Sequence, residues 1–374
     1  MSRQPLILIS AGGTGGGVYP ALTIAEGLRR AAPETHLHFV GSVGGMEERL
    51  VPREQFAGYH AVQGGPLVGV SLPRRIVSLL KILWGVIQSY LLALRLRPTA
   101  LVITGGWATF PPAVGCWLRG VPIVIYLPDI EPARVIRVIS RVARLVLTPV
   151  PESAAFFRAG TPLKAVGYPL REKLSRATRA DGIAYFQLDP ALKTLLVWGG
   201  SRGAQRINEA LGAILPELLR EPVQVIHLSG EFDWETVKAR REKLPAELQG
   251  RYRVFPYLKE EMGLALAAAD LTVSRAGASC LGEYPHFGLP AILIPLAFAW
   301  RYQQVNADYL ATRGAAVRLD DERLSEELLP LIRGLLGDPA RLEAMSKACA
   351  VLSSGDAAAR IASEVLAISG ANQK

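Results

Sequence analysis

The 374 residues carry 42 Lys/Arg against 33 Asp/Glu, a net charge of +9, with half of them hydrophobic and 20% charged. That composition allows a large buried core and excludes wholesale disorder, while the length exceeds one ordinary core, so two α/β domains are expected. Cys116, Cys280 and Cys349 form no C-x-x-C pair, the five histidines show no metal-ligand spacing and no cleavable signal opens the chain, which together predict a reducing cytoplasmic setting and no zinc site.

The charge is unevenly placed. Residues 1–165 hold 17 Lys/Arg and 8 Asp/Glu, whereas the remainder holds 25 of each. A basic N-terminal half suits an anionic lipid surface or an anionic substrate. Nucleic acid is not expected as a partner, because no recognition helix, zinc finger or RNA-binding signature occurs.

An apolar run, Leu6–Ile9, opens into five glycines between Gly12 and Gly17, and a helical pattern follows through Ala21, Ile24, Ala25 and Leu28. The reading is strand, glycine loop, helix, with Pro20 near the first helical turn. Neither the dinucleotide fingerprint G-x-G-x-x-G nor a G-x-x-x-x-G-K-[ST] loop fits these positions. His36–Gly41 reads as a second strand, with His36 and His38 as structural residues. Gly44–Val51 reads as a helix with Glu47, Glu48 and Arg49 on a solvated face, and Ala57–Gln63 as a third strand.

Ile76–Leu94 is 19 residues with Lys81 as its only charge, close to the length of a membrane span. Ser78, Lys81, Gly85, Gln88 and Ser89 draw a polar stripe along it, with Arg74, Arg75, Arg95 and Arg97 at its ends. Two readings stay open: an amphipathic helix resting on a bilayer surface, or a helix packed into its own domain. A buried strand, Ala100–Thr104, ends at Gly105-Gly106-Trp107, and Pro111–Leu118 reads as a helix. Val121–Tyr126 is a further strand, and Ala133–Val146 a helix whose stripe is Arg134, Arg137, Arg141 and Arg144. Strands at Leu145–Thr148 and Lys164–Gly167 close this half, and Tyr168–Pro190 has the composition of a linker.

The alternation then restarts. Thr194–Trp198 is a strand followed by a second phosphate-type loop, Gly199-Gly-Ser-Arg-Gly203, and a helix holding Asn208. Strands are expected at Val223–Leu228, Leu271–Ser274 and Pro290–Pro295. Helices are expected at Tyr302–Leu310 and, two or more, across Ser325–Leu366. Two βα series, each with a glycine loop, imply two similar doubly wound domains whose loops line a cleft.

The ordered set Gly12-Gly-Thr-Gly-Gly16 with Pro20-Ala21, Gly199-Gly-Ser-Arg-Gly-Ala204, Arg275-Ala-Gly-Ala with Glu283, Gly288-Leu-Pro290, and Gln303 with Asn306-Ala307 spans nearly the whole chain. On these residues the chain resembles the MurG family of GT-B glycosyltransferases. Its members transfer N-acetylglucosamine from UDP-GlcNAc to undecaprenyl-pyrophosphoryl-muramyl-pentapeptide in peptidoglycan synthesis. The resemblance implies two Rossmann-like parallel-sheet domains facing a cleft. Residues 1–166 would form an acceptor- and membrane-facing domain, 167–352 a UDP-sugar domain, and a final helix near 353–370 would return to the first. It implies a peripheral enzyme at the cytoplasmic face of the cell membrane.

By position, the resemblance implies a donor site of Thr14, Gly15, Gly16, Arg171, Ser201, Arg202, Gly203, Met262, Arg275, Gly277, Ala278, Glu283, Gln303 and Asn306. Within it, Ser201 and its neighbours would hold the diphosphate and Arg171 would neutralise it on departure. Glu283 would accept from both ribose hydroxyls, Met262 would lie near the uracil, and Gln303 and Asn306 would bond the sugar. Arg75, Lys81, Trp84, Arg134 and Arg137 would face the acceptor and the anionic membrane. No cofactor and no obligatory metal are expected, since N–H dipoles and a cation can stabilise the leaving diphosphate.

The chain departs from the family where a base is needed. The glycine loop usually ends in histidine, and here that position is Gly17; Tyr126-Leu-Pro-Asp129 stands where many members read His-Glu-Gln-Asn. Asp129, then Glu131, are the expected catalytic bases, against the reading that Asp129 only caps the next helix. Other functions consistent with the residues are a lipid glycosyltransferase with another donor or acceptor, a UDP-GlcNAc 2-epimerase, and a UDP-sugar-binding protein without catalysis.

Overall fold

Strands buried on both faces need apolar side chains at every position, and the chain supplies such runs twice over. The computed structural model describes residues 5–13, 15–67, 69–200, 204–296 and 302–371. The first series is β1 (Leu6–Ser10), β2 (His36–Ser42), β3 (Gly58–Val62), β4 (Ala100–Ile103), β5 (Ile123–Tyr126), β6 (Leu145–Thr148) and β7 (Leu163–Ala165). They form one parallel sheet in the order β3-β2-β1-β4-β5-β6-β7. The second series is β8 (Lys193–Trp198), β9 (Val223–Leu228), β10 (Tyr252–Phe255), β11 (Leu271–Ser274), β12 (Ala291–Leu293) and β13 (Ala316–Arg318). Its order, also all parallel, is β10-β9-β8-β11-β12-β13. Strands β10 and β13 are short and only partly buried, and neither is legible as an apolar run.

The chain divides into two units, Arg171–Gly355 and the rest. In each, strand order reverses once, between β1 and β4 in the first unit and between β8 and β11 in the second. Loops on either side of such a switch point part, leaving a crevice at the C-terminal ends of the strands.

The first unit recruits the chain's last helix, Ala357–Ala371, which packs on the helix Gly15–Ala31. Ile361, Ala362 and Val365 join Ile7, Ile9, Val18, Ile24 and Leu28 in one apolar cluster. Gly27 makes that contact possible: a Cβ there would lie 2.8 Å from the Ala358 carbonyl oxygen.

Four local expectations are corrected. The first helix starts at Gly15, so Pro20 lies inside it rather than in its first turn and leaves the Gly16 carbonyl without its usual i+4 donor. Glu47 is fully buried rather than on a solvated face. The expected helix Ala133–Val146 is only Arg134–Ile139, because Arg144 N–H already donates to the Ile123 carbonyl and draws the chain into β6. The expected linker folds into Glu172–Ser175 and Arg179–Phe186, the latter capped by Thr178, whose Oγ1 accepts from the Asp181 N–H.

The helix Leu72–Leu96 is long and apolar enough, by length and composition, to cross a membrane. Its buried positions are Ser78, Ile82, Gly85, Ser89 and Ala93, a narrow stripe in which all but Ile82 are small, and this face packs on the helix Phe110–Leu118. Most of the bulky apolar side chains point outward.

Candidate active site

In the first unit the crevice is built from two glycine turns in contact. β1 leads through Gly12 and Gly13 into the helix beginning at Gly15, and β4 leads into Gly105-Gly106-Trp107. Gly106 has φ +87°, and a Cβ on it would overlap the Gly12 carbonyl oxygen. Thr104 Oγ1 donates to the Gly17 carbonyl at 2.7 Å and so ties the start of the helix to β4. Gly15 and Gly16 open that helix; Thr14 lies outside the described residues. At Gly17 a Cβ would meet its nearest neighbours at 3.8 Å. Ordinary contact at that distance means that no close neighbour of the Cβ forces glycine at this position.

Beneath this loop lies Glu47, a carboxylate that no sequence pattern singled out. Its Oε1 accepts from the Ser42 N–H at 2.6 Å and from Ser42 Oγ at 2.5 Å, and its Oε2 has no partner among the described residues. A Cβ on Gly12 would come within 2.9 Å of Oε1, and one on Gly41 or Gly45 would overlap the side chain. Three glycines, Gly41 and Gly45 close by in sequence and Gly12 from the first glycine turn, thus vacate the space that Glu47 fills. The negative charge raises the Tyr59 hydroxyl well above its ordinary pKa, after burial, which is the larger cause.

The two expected bases follow β5 and differ in surroundings. Glu131 is buried, and Arg137 Nη2 donates to its Oε1 at 2.7 Å. The pair occupies one of its oxygens and holds the side chain against the helix Arg134–Ile139. Asp129 is half-buried, three residues beyond the end of β5. It does not cap the next helix, whose N-cap is Ala133 with no side-chain hydrogen bond.

In the second unit β8 leads into Gly199-Gly200; Ser201, Arg202 and Gly203 lie outside the described residues. Glu283 begins the short helix Glu283–Phe287 and is buried. Burial raises its pKa to about 7, against the lowering effects of the Arg171 charge and a hydrogen bond from Ser279. Its Oε2 has no partner among the described residues. A buried carboxylate oxygen without a donor carries a desolvation penalty that a ligand hydroxyl can relieve. Arg171 precedes the helix Glu172–Ser175, with Nη1 3.4 Å from the Lys259 carbonyl. Met262, at the start of the helix Met262–Ala268, is buried.

Other expected donor residues hold loops in place. Asn306 is fully buried and donates from Nδ2 to the Ala276 carbonyl at 3.2 Å. Gln303 Oε1 accepts from the Leu296 N–H at 2.9 Å. Gly277 leads into the 3₁₀ turn Ala278–Leu281. Arg275 is bound through both terminal nitrogens to Asp321, at 2.7 and 3.4 Å. Asp321 was not anticipated, and an acidic residue in Leu319-Asp-Asp-Glu322 gives no signal of such a role.

On the first unit, Arg75, Lys81, Arg134 and Arg137 are all exposed, and Trp84 is 54% exposed. Leu83, beside it, is 62% exposed, and Ile76, Leu80, Ile87 and Leu91 are open as well. Trp117 and Leu118, on the helix packed against this one, add to the apolar surface.

Comparison with known proteins agrees with this geometry. Residues 7–148 match the glycosyltransferase family 28 N-terminal domain, and residues 194–361 match the glycosyltransferase family 28 C-terminal domain. The UDP-N-acetylglucosamine–N-acetylmuramyl-(pentapeptide) pyrophosphoryl-undecaprenol N-acetylglucosamine transferase of Roseiflexus sp. is 37% identical, with 94% of this chain and 92% of that protein covered. The protein of the same name from Desulfitobacterium hafniense is 35% identical, with 95% and 97% covered. The crystal structure of Acinetobacter baumannii MurG superposes with a TM-score of 0.75 at 24% identity, over 97% of this chain and 99% of that one, which establishes the GT-B fold. With two matched domains and relatives of this identity along almost its full length, the chain belongs to the MurG family of glycosyltransferases.

Proposed function

We propose that this enzyme transfers N-acetylglucosamine, with inversion, from UDP-GlcNAc to undecaprenyl-pyrophosphoryl-muramyl-pentapeptide at the cytoplasmic face of the cell membrane. The observation that carries the reading is the match of both units to relatives bearing a single name. The buried Glu283, with one oxygen unpartnered among the described residues, supports a donor nucleotide whose ribose hydroxyls donate to that carboxylate. Arg171 lies within electrostatic reach of Glu283 and supplies positive charge for the leaving diphosphate. Backbone N–H groups and arginines then do the work that a divalent metal does in other transferases.

Inversion requires the acceptor hydroxyl to attack the anomeric carbon opposite the departing UDP while a base takes its proton. Asp129 is that base. Glu131, held by Arg137, keeps the segment after β5 in place. The outward apolar face of Leu72–Leu96, with exposed arginines around it, rests on the bilayer, so that apolar burial and attraction to anionic lipid act together.

The test is a transfer assay with labelled UDP-GlcNAc and the lipid-linked muramyl-pentapeptide. A labelled lipid-linked disaccharide is expected. Binding of UDP-GlcNAc without any transfer would overturn the reading in favour of a non-catalytic protein.

A further inference from the structure

Asp321 opens the 3₁₀ turn Asp321–Arg323 after β13, and its carboxylate is only 2% exposed. Arg275, immediately after β11, meets it at two points, Nη1 to Oδ1 at 2.7 Å and Nη2 to Oδ2 at 3.4 Å. Arg206, in the first turn of the helix Gln205–Leu218 that follows β8, approaches Oδ2 at 3.5 Å. Arg275 Nη1 also donates to the Ile294 carbonyl, just beyond β12, at 3.3 Å. β8, β11, β12 and β13 are consecutive in the sheet. One carboxylate and two guanidiniums therefore join the segments leaving four neighbouring strands, at the edge where a doubly wound sheet binds its ligand.

The charges do not cancel. Two cations share one anion, and a carboxylate this deeply buried persists only because it is paired. The cluster keeps one positive charge, on an edge that has to receive a nucleoside diphosphate. A planar guanidinium fixed through two of its nitrogens has its remaining N–H groups aimed in set directions, whereas a free arginine would have to be ordered on binding.

We propose that Asp321 is a positioning residue for diphosphate binding: it fixes the Arg275 guanidinium. The proposal rests on the reading that the second unit takes a UDP-sugar. Asp321 does not touch the ligand; it acts through Arg275.

The experiment is calorimetric binding of UDP to the full-length protein at fixed pH and salt, as a double-mutant cycle. Asp321→Asn weakens UDP binding by roughly tenfold or more, the scale of a lost charge-assisted pair, while KM for the lipid acceptor stays at the wild-type value. Asp321→Asn on top of Arg275→Ala adds nothing, because a residue acting through Arg275 has no effect once Arg275 is gone. Wild-type affinity in Asp321→Asn, or losses that simply add, overturns the proposal. Should Asp321→Asn not fold, Arg275→Lys decides: it keeps the charge without the two-point contact, and wild-type UDP affinity in it is equally fatal. Wild-type protein that binds UDP but transfers no sugar overturns the function proposed above and leaves this cycle readable.

Discussion

Glu283 titrates where most carboxylates are long since ionised. Burial lifts its pKa to about 7, so below neutral pH the carboxyl is protonated in the empty protein. Ribose hydroxyls donate best to the anion, so ligand binding and proton loss are linked. UDP-GlcNAc affinity should therefore rise with pH up to about 7 and then level off. The probe matters, because the diphosphate diester of UDP-GlcNAc does not titrate in this range and UDP itself does. Glu283→Gln should bind more weakly and show a flat profile; an unchanged pH profile in that variant would remove Glu283 from the ribose. For stability the sign is the reverse. A raised carboxyl pKa stabilises the fold at low pH, and that contribution is lost as pH rises through about 7, so Glu283→Gln should gain relative stability above it. The base is a second decision at this scale. Asp129→Asn should lower turnover by about 10²- to 10⁴-fold with little change in donor affinity, whereas Glu131→Gln, which leaves Arg137 without its anion, should lower stability more than turnover. Full turnover in both would send the search for the base elsewhere. Glu283 was legible because its spacing from Arg275 belongs to a family pattern. Glu47 was not, since its burial depends on Gly41 and Gly45 together with Gly12, which only the fold brings to them.

At the scale of elements, the helix Leu72–Leu96 shows a stripe that was legible in its period while its direction stayed open. The spacing of Ser78, Gly85 and Ser89 marks a stripe, and in sequence a polar stripe suggests the solvent side. Here those residues are small enough to let the helix lie close on Phe110–Leu118, so the stripe is the packed face. Most of the bulky residues are left outside, which fits lipid rather than water as their neighbour. Two kinds of variant separate the forces. Leu83→Glu with Trp84→Glu should abolish binding to vesicles containing anionic lipid at any salt concentration, since it removes the apolar contact. Arg75→Glu with Arg134→Glu should weaken binding mainly at low salt, where surface charges are least screened. Arg137 is excluded from that pair because its guanidinium also holds the buried Glu131. Co-sedimentation with vesicles measures both, and binding untouched by the double glutamate variant would leave this face without a bilayer role. The segments Arg134–Ile139 and Arg179–Phe186 were harder to read, for local reasons. A strand hydrogen bond from Arg144 truncates the first, and a threonine cap starts the second inside a charged stretch that resembles a linker.

For the whole molecule, the repeated strand-loop-helix alternation made the doubly wound class legible, because parallel strands buried on both faces leave unbroken apolar runs. Short edge strands such as β13 carry too few buried positions to register. What periodicity alone does not convey is that the chain closes the first unit with its last helix. Ile361 and Val365 are fully buried in a cluster with residues from the first strand and first helix, and Arg360 donates to the Val166 carbonyl at 2.9 and 2.8 Å. Lys164 pairs with Glu364 on the same helix. Removing Ile361 beyond Cβ leaves a cavity that close-packed neighbours fill only in part, so Ile361→Ala should cost about 2–5 kcal/mol. Gly27→Ala should also destabilise, because the new methyl meets the backbone of Ala358, which cannot swing aside as a side chain does. Both losses belong to the first unit. A two-unit protein need not melt in one step, and on the proposed function UDP should raise only the transition of the second unit. The expected calorimetric trace for either variant is thus an earlier first-unit transition beside an unmoved, UDP-sensitive second one. A single transition shifted as a whole would mean that the last helix stabilises both units together.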